Sequence, residues 1–267
     1  DYKKKGKKVV CLTAYDYSTA KILDNAGVDL ILVGDSLAQV ALGYENTLSL
    51  TMDEMLHHAK AVCRGVKNSL VVVDLPFLTY QVNVSDAIYN AGKCLQAGAQ
   101  AVKLEGASED ILKTIKKMVD VGIPVLGHIG FTPQSVNALG GNRVQGKTAS
   151  AASELLKQAK DLEEAGCFGV VVELVPSESA KLITTNLSIP TIGIGAGVNC
   201  DGQILVTDDL LGKFSDFKPS FVRRYADFSG DAGVAIQKYI SDVQNEKYPQ
   251  DNESFFMPEG EVEKLSH

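Results

Sequence analysis

Short apolar runs alternate along the chain with longer segments in which apolar residues recur every three or four positions. The short runs are rich in β-branched residues, and several are continuously apolar, which is typical of parallel strands covered on both faces. They predict eight strands, at residues 8–13, 30–36, 70–76, 101–106, 124–130, 169–175, 190–197 and 203–209. The segments between them, such as 51–66 and 150–166, predict amphipathic helices.

A glycine precedes several of these strands by two or three residues, at Gly27, Gly98, Gly122 and Gly166. Glycine supplies the left-handed backbone that ends a helix, so the repeating unit is helix, glycine and strand. Eight such units predict a single (β/α)8 TIM barrel, an α/β fold that takes about 250 residues. A doubly wound open sheet is the alternative, but no GxGxxG sequence follows the first strand to support it.

The barrel is predicted to cover residues 1–246, with a short lysine-rich N-terminal arm that is predicted to be solvated. Residues 247–267 are polar and interrupted by proline, and they are predicted to form a separate C-terminal tail. Phe255, Phe256 and Met257 form an apolar cluster in this tail. Such a cluster predicts that the tail packs on the barrel or on a neighbouring subunit.

The composition excludes several classes of protein. A net charge of −7 and a pI of about 5.2 argue against nucleic-acid binding and against a basic membrane-surface role. No apolar run approaches the ~20 residues that span a bilayer. The five cysteines are scattered without CxxC spacing, which predicts a reducing cytoplasmic location and no thiolate metal site.

Ionisable residues occur at the ends of five consecutive predicted strands, where barrels of this type carry their chemistry. These residues are Asp35, Asp74, Glu105, His128 and Glu173. If the barrel closes as predicted, four carboxylates and an imidazole meet at one rim.

Each of these residues, except Glu173, also has an ordinary structural explanation. Asp35 and Asp74 are both placed where an aspartate commonly starts a turn or caps a helix. Glu105 and Lys103 are two residues apart, so strand alternation puts them on one face and predicts a salt bridge between them. A lone histidine such as His128 is more often a satisfied core residue than a ligand.

The joint pattern points to a metal. Converging carboxylates repel one another unless a cation lies among them. Oxygen donors without cysteine, and with at most one histidine, suit Mg²⁺, which is usually held by one or two carboxylates plus the substrate. That leaves a carboxylate for proton transfer, and Glu173, set among valines in GVVVELVP (169–176), is the candidate base. The reaction class that this suggests is metal-assisted enolisation.

Two loops are candidates for binding. The glycine-rich stretch 193–203 follows the seventh strand, where barrels often bind phosphate, although tight loop geometry alone also requires glycine. The connection 127–147 is long for a strand-to-helix loop, and long loops are commonly functional.

A series of motifs occurs in consistent order over residues 8–226: LTAYDYSTAKILDNAGVDLILVGDS, TMDEMLHHAKAV, VVDLPF, AVKLEG, GHIGFTPQS, GGNRVQGK, ELVP, and IPTIGIGAG with DGQILV. With these motifs the chain resembles the ketopantoate hydroxymethyltransferase family. The resemblance implies a barrel of the phosphoenolpyruvate-dependent type. It also implies hydroxymethyl transfer from 5,10-methylenetetrahydrofolate to 3-methyl-2-oxobutanoate, which gives ketopantoate for pantothenate biosynthesis.

The resemblance also implies roles for individual residues. It implies Mg²⁺ as the metal, with the ligands Asp35, Asp74 and Glu105. It implies contacts with the keto acid at Asp35, Ser36, Asp74, Lys103 and His128. The general base that takes the proton from C3 would be Glu173, while Lys103 would add positive charge near the developing anion.

Two rival functions remain at this point. One is a Mg²⁺-dependent C–C lyase of the isocitrate lyase or phosphoenolpyruvate mutase type, although the catalytic cysteine loop of those enzymes has no match in the chain. The other is an inactive barrel that serves as a binding protein, which the loss of a metal carboxylate or base would favour. The resemblance further implies a large homo-oligomer, such as a decamer built as a pentamer of dimers, acting on small-molecule substrates.

Overall fold

The computed structural model describes residues 2–213 and 219–265. Within them eight parallel strands pair in sequence order and close into a barrel, which confirms the predicted fold class. The strands are β1 (Val9–Thr13), β2 (Leu30–Val33), β3 (Leu70–Asp74), β4 (Ala101–Lys103), β5 (Val125–Gly130), β6 (Gly169–Glu173), β7 (Thr191–Ile194) and β8 (Gly202–Leu205).

Helices occupy the connections between the strands and continue after β8. They are α1 (Tyr17–Ala26), α2 (Leu37–Val40), α3 (Met52–Gly65), α4 (Val84–Gln96), α5 (Glu109–Asp120), α6 (Val136–Leu139), α7 (Ala149–Glu164), α8 (Ser177–Asn186), α9 (Thr207–Leu211) and α10 (Phe228–Gln244). Short three-ten helices lie at 47–49, 133–135, 251–253 and 262–264. No helix in the described ranges is both long and apolar enough to cross a membrane.

The predicted helix ends are confirmed. Gly27, Gly98, Gly122 and Gly166 all have positive φ, between 83° and 110°. At the start of α3, Thr51 and Glu54 form a reciprocal capping box, in which each side chain accepts from the other residue's backbone N–H. Helices such as α3 and α5 bury their apolar residues against the barrel.

The barrel wall separates two apolar layers. Inside it, side chains such as Cys11, Val72, Leu126 and Ile204 fill the interior and are buried. Outside it, the alternate residues of the same strands pack against the helices in a second and larger core. Alternation along each strand therefore decides which residues can reach the pocket at the barrel's C-terminal end.

The lysine-rich start differs from its prediction. The ammonium of Lys3 donates to the carbonyl oxygens of Thr184 (2.8 Å) and Ile189 (3.1 Å) and to Asp201 (2.9 Å). The prediction of a solvated arm was therefore wrong for this residue, because carbonyls and a carboxylate converge beneath the barrel and require a cation.

Among the described residues, the outer face of the barrel between β8 and β1 is less covered than the outer faces of the other strands. The outward side chains of Ile31, Val73 and Val172 are 0% exposed, whereas that of Val10 on β1 is 51% exposed. Its neighbour on β8, Gln203, is also exposed. Helix α10, which follows β8 in the chain, has no buried residue.

Candidate active site

The predicted site residues meet at the C-terminal end of the barrel. Asp74 and Glu173 are the last residues of β3 and β6, and Asp35 and Glu105 lie two residues beyond β2 and β4. His128 lies within β5 rather than after it. All five line one cavity of about 630 Å³, together with Ser36 and Lys103.

Strand register brings the first charged pair together. In the parallel ladder Asp74 on β3 lies opposite Lys103 on β4, and the Lys103 ammonium is 2.6 Å from Asp74 Oδ1. The same ammonium is 4.0 Å from Glu105 Oε1, so the predicted Lys103–Glu105 pair forms, but as the longer of the two contacts. Burial by itself would lower the pKa of the Lys103 ammonium, but the negative charges of Asp74 and Glu105 outweigh that effect and raise the pKa.

Asp35 approaches Asp74 through the backbone. The N–H of Asp35 donates to Asp74 Oδ2 at 2.9 Å. The backbone oxygen of Asp35 accepts from Ala38, as in the turn that its position suggested, but its carboxylate accepts from the side chain of Gln134. Burial first, and then the charges of Asp74 and Glu105, raise the pKa of Asp35 to about 8.

His128 lies between two carboxylates. Its Nδ1 is 3.4 Å from Glu105 Oε1, and its Nε2 is 3.2 Å from Glu173 Oε2. Burial and Lys103 oppose protonation, but the contacts with Glu105 and Glu173 outweigh them and raise the pKa of His128 to about 9. The imidazole of His128 therefore lies between a predicted metal ligand and the candidate base.

These contacts leave part of the site unsatisfied. Although the distances suit ion pairs, Glu105 Oε1 and both ring nitrogens of His128 lack an aligned hydrogen-bond partner. Buried polar atoms without partners are costly, so they mark positions where a bound ligand would complete the network.

The carboxylates of the site offer a set of oxygen donors for a divalent metal. Asp35, Asp74 and Glu105 supply buried oxygens, and the raised pKa of Asp35 reflects crowding that a cation would relieve. In the described residues no group of three or more His, Cys, Asp or Glu side chains is arranged to hold a metal ion by itself. Mg²⁺ does not need one, because it usually keeps several waters and binds through one or two carboxylates plus the substrate. The carboxylates therefore fit Mg²⁺ held partly by substrate.

The backbone around Glu173 is closely packed at the end of β6. Leu174 has a φ of 48°, an uncommon left-handed conformation for a residue with a side chain. The Glu173 carbonyl accepts from Phe131 N at 2.8 Å, and a Cβ on Gly130 would collide with that carbonyl. Strand alternation gives Glu173 the same face as Val171, which lies in the barrel interior, so its side chain reaches the cavity.

Of the two loops predicted as candidates for binding, one contributes several side chains to the cavity, while a glycine of the other is explained by packing. The connection 127–147 supplies Phe131, Val136 and Val144 to the cavity wall. In the glycine-rich stretch 193–203, a Cβ on Gly197 would collide with Ser177, so tight packing accounts for the glycine there.

Two residues of the site carried no signal of their own in the sequence. Gln134 lies in the long connection after β5 and is hydrogen-bonded to both Asp35 and Glu105. Tyr80 lies after β3 and is hydrogen-bonded to Gln134 and to the backbone of Glu105. The length of the loop pointed to the region around Gln134, but not to the residue.

Comparison with known proteins gives a consistent result. A family model described as ketopantoate hydroxymethyltransferase matches residues 1–251. A Clostridium botulinum (strain Alaska E43 / Type E3) protein named 3-methyl-2-oxobutanoate hydroxymethyltransferase is 53% identical over 266 residues, which cover 99% of this chain and 96% of that relative. A protein of the same name from Enterococcus faecalis (strain ATCC 700802 / V583) is 53% identical, covering 98% and 96%.

Solved structures resemble the fold at much lower identity. Phosphonopyruvate hydrolase in complex with oxalate and Mg²⁺ matches with a TM-score of 0.61 at 13% identity, covering 99% of this chain and 92% of that one. The lyase 2,3-dimethylmalate lyase matches with a TM-score of 0.60 at 14% identity, covering 98% and 90%. At such identities the likeness concerns the barrel fold alone.

Proposed function

The chain belongs to the ketopantoate hydroxymethyltransferase family, and from this premise we propose that it transfers a hydroxymethyl group from 5,10-methylenetetrahydrofolate to 3-methyl-2-oxobutanoate. The product is 2-dehydropantoate (ketopantoate), a precursor of pantothenate and coenzyme A. The observation that carries the proposal is the position of Glu173, which faces the cavity beside Lys103 and His128 and the carboxylate cluster.

Asp35 and Asp74 would hold Mg²⁺, with Glu105 close behind them. The bound metal would act as a Lewis acid on the keto and carboxylate oxygens of the substrate. Ser36, which follows Asp35 and lines the same cavity, has its hydroxyl 2.8 Å from the Tyr15 hydroxyl and is positioned to contact the keto acid.

Glu173 would act as the general base at C3. The ring of His128 lies against the Glu173 carboxylate, with its Nε2 3.2 Å from Glu173 Oε2. When the C3 proton moves to Glu173, negative charge develops towards the keto oxygen, and the buried ammonium of Lys103 lies nearby to stabilise it. Water would add to the methylene carbon of the folate and release it as formaldehyde, with tetrahydrofolate as the leaving group. The C3 carbanion would then add to the formaldehyde carbon, and the resulting alkoxide would take back the proton held by Glu173 to become the hydroxymethyl group.

The cavity has room for this chemistry. Its volume of about 630 Å³ exceeds what a five-carbon keto acid needs, and its wall beyond the charged cluster is largely apolar. Apolar side chains there, such as Phe131, Val144, Leu205 and Phe221, suit the ring system of a folate. The five cysteines are free thiols, in agreement with the cytoplasmic location that we propose.

The direct test is product formation. Purified protein is incubated with 3-methyl-2-oxobutanoate and 5,10-methylenetetrahydrofolate, with Mg²⁺ or with EDTA, and 2-dehydropantoate is followed by mass spectrometry. We expect product only with Mg²⁺. A protein that makes no product from this pair, but cleaves an isocitrate-type substrate, would instead be the C–C lyase.

We propose in addition that the protein works as a homo-oligomer in which α10 of one copy covers the exposed β8–β1 face of another. Ile236, Tyr239, Ile240 and Val243 recur at helical spacing and are exposed on α10. In the part of the chain that the structure describes, the outer face of the barrel at Val10 is left half exposed. The apolar stripe on α10 of one copy could therefore pack on the exposed β8–β1 face of a second copy.

Light scattering tests this assembly, which could extend to the decamer implied by the family resemblance. Ile236→Asp combined with Ile240→Asp should reduce the oligomer, whereas Lys238→Glu, on the opposite side of the helix, should leave its mass unchanged. If both the full chain and a chain truncated before residue 247 were monomeric, the proposed assembly would be refuted.

A further inference from the structure

Gln134 connects two of the carboxylates at the centre of the site. Its backbone N–H donates to Glu105 Oε2 at 2.9 Å. Its side-chain Nε2 donates to Asp35 Oδ2 at 3.0 Å and to the carbonyl oxygen of Leu75 at 3.0 Å. Gln134 is buried, so one residue from the loop after β5 fixes groups that follow β2, β3 and β4.

The orientation of the Gln134 amide follows from its neighbours. The Tyr80 hydroxyl accepts the backbone N–H of Glu105 at 3.2 Å, so its own hydrogen is free to bind Gln134 Oε1 at 2.8 Å. Gln81 Nε2 donates to the same oxygen at 3.2 Å. With donors on that side, the amide oxygen must face Tyr80 and the amide nitrogen must face Asp35.

Each carboxylate is thereby left with one oxygen that Gln134 does not hold. Asp35 Oδ2 accepts from Gln134, and Oδ1 makes no hydrogen bond with a described residue. Glu105 Oε2 accepts from Gln134, and Oε1 is buried without an aligned partner. These are the atoms that would face a metal or its bound substrate.

We propose that Gln134, oriented by Tyr80, is a positioning residue that presents Asp35 Oδ1 and Glu105 Oε1 to the metal and keto acid. This inference rests on the proposed function. An amide suits the role because it donates to Asp35 and accepts from Tyr80 without adding charge to a crowded acidic site. Outer partners that orient ligands in this way typically change metal affinity by about 10–100-fold when they are removed.

Calorimetry with Mg²⁺ alone, and then with 3-methyl-2-oxobutanoate in the presence of Mg²⁺, tests the proposal without relying on turnover. Gln134→Met keeps the side-chain volume and the backbone contact with Glu105 but removes the donor to Asp35. We expect its Mg²⁺ affinity to fall about 10-fold or more. Tyr80→Phe, which removes the hydroxyl that orients the amide and accepts the Glu105 backbone N–H, should show a smaller loss.

The matched control is Gln100→Met at the opposite end of the barrel, where Gln100 Oε1 accepts from Val71 N at 2.7 Å. It should affect thermal stability but not Mg²⁺ affinity. If both Gln134→Met and Tyr80→Phe bind Mg²⁺ within twofold of the wild type, Gln134 does not position the site. Tyr80→Phe keeps the test decisive if Gln134→Met fails to fold.

The two proposals fail in different ways. Wild-type protein that makes ketopantoate, together with variants of unchanged affinity, would overturn the role of Gln134 only. Wild-type protein that neither binds Mg²⁺ nor forms product would overturn the metal-dependent function and the positioning role together.

Discussion

Buried carboxylates occur at both ends of the barrel, and their surroundings differ. At the N-terminal end, Asp24 on α1 accepts the backbone N–H groups of Lys67, Asn68 and Ser69 at distances of 2.8–3.1 Å. At the C-terminal end, the carboxylate of Asp35 has the side chain of Gln134 as its described donor, and negative charges surround it.

The electrostatic consequences are opposite. Backbone donors hold the pKa of Asp24 well below its usual range, whereas burial and like charges raise the pKa of Asp35 to about 8. The first carboxylate stabilises the fold by linking the end of α1 to the start of β3. The second is held at a cost to stability, which is typical of a site built to bind a cation.

The largest effect expected at the C-terminal end concerns Glu173. Enolisation requires the keto acid, Mg²⁺ and the base, but not the folate, so the wild type should exchange the C3 hydrogen of 3-methyl-2-oxobutanoate with deuterated solvent. Glu173→Gln keeps the shape but cannot accept the proton, and exchange should fall by about 10²–10⁴-fold. NMR follows the C3 signal, and calorimetry should show nearly unchanged binding of keto acid and Mg²⁺. Normal exchange in the variant would mean that Glu173 is not the base.

At the N-terminal end, Asp24→Ala should cost stability rather than chemistry. The variant leaves three backbone N–H groups without their acceptor, so we expect a loss of about 3 kcal/mol in the free energy of unfolding. Because the folded pKa of Asp24 is depressed, its contribution is present above about pH 4 and is lost as the pH falls below that value. Urea unfolding at several pH values measures this, with the exposed Asp120→Ala as control. If fully folded Asp24→Ala protein showed a large loss of kcat, the N-terminal end of the barrel would not be purely structural, and the contrast with the C-terminal end would be wrong.

In the metal-free protein, Asp35→Asn should increase the stability of the fold, whereas Asp24→Ala should decrease it. Because the folded pKa of Asp35 is raised to about 8, charging it costs stability increasingly as the pH rises from about 4, and the variant avoids that cost. Its apo melting temperature should exceed that of the wild type, by about 2–4 °C per kcal/mol gained and by more at pH 8 than at pH 6. Mg²⁺ should stabilise the wild type but not the variant.

Measuring product formation tests separately whether the carboxylates at the C-terminal end of the barrel serve the reaction. Asp35→Asn and Asp74→Ala should both abolish Mg²⁺-dependent product formation. Asp74→Ala should also destabilise the apo fold, because it leaves Lys103 with only the longer contact to Glu105. Either variant with normal activity at limiting Mg²⁺ would remove these residues from the metal site.

The smallest effect is expected from Lys3→Met beneath the barrel. It removes an ammonium bound to Asp201 and two carbonyl oxygens, and we expect a loss of about 1–2 kcal/mol. Lys4, which is exposed, provides the control Lys4→Met. Equal stability of the two variants would show that the lysine is not a structural anchor.

Much of this could be predicted from the sequence, because the decisive signals are local. Apolar runs and helix-ending glycines such as Gly27 depend on backbone preferences within a few residues. Once a parallel barrel is predicted, the ends of its strands lie on one rim, so Asp74 and Glu173 follow from their positions in the chain.

The tertiary structure decided which of these groups touch. Alternation along β4 predicted that Lys103 pairs with Glu105, but its closer partner is Asp74, at 2.6 Å rather than 4.0 Å. The register between β3 and β4 places Asp74 opposite Lys103, and register depends on packing across the barrel rather than on either strand alone.

The same reason explains the role of Gln134 and the anchoring of Lys3. Gln134 reaches Asp35 across 99 positions of the chain, and Lys3 reaches Asp201 across 198. The structural role of such a polar side chain depends on partners that come within hydrogen-bond distance only when the barrel closes. The sequence thus determined which residues carry the chemistry and at which end of the barrel they lie, while folding decided how they are paired, oriented and held.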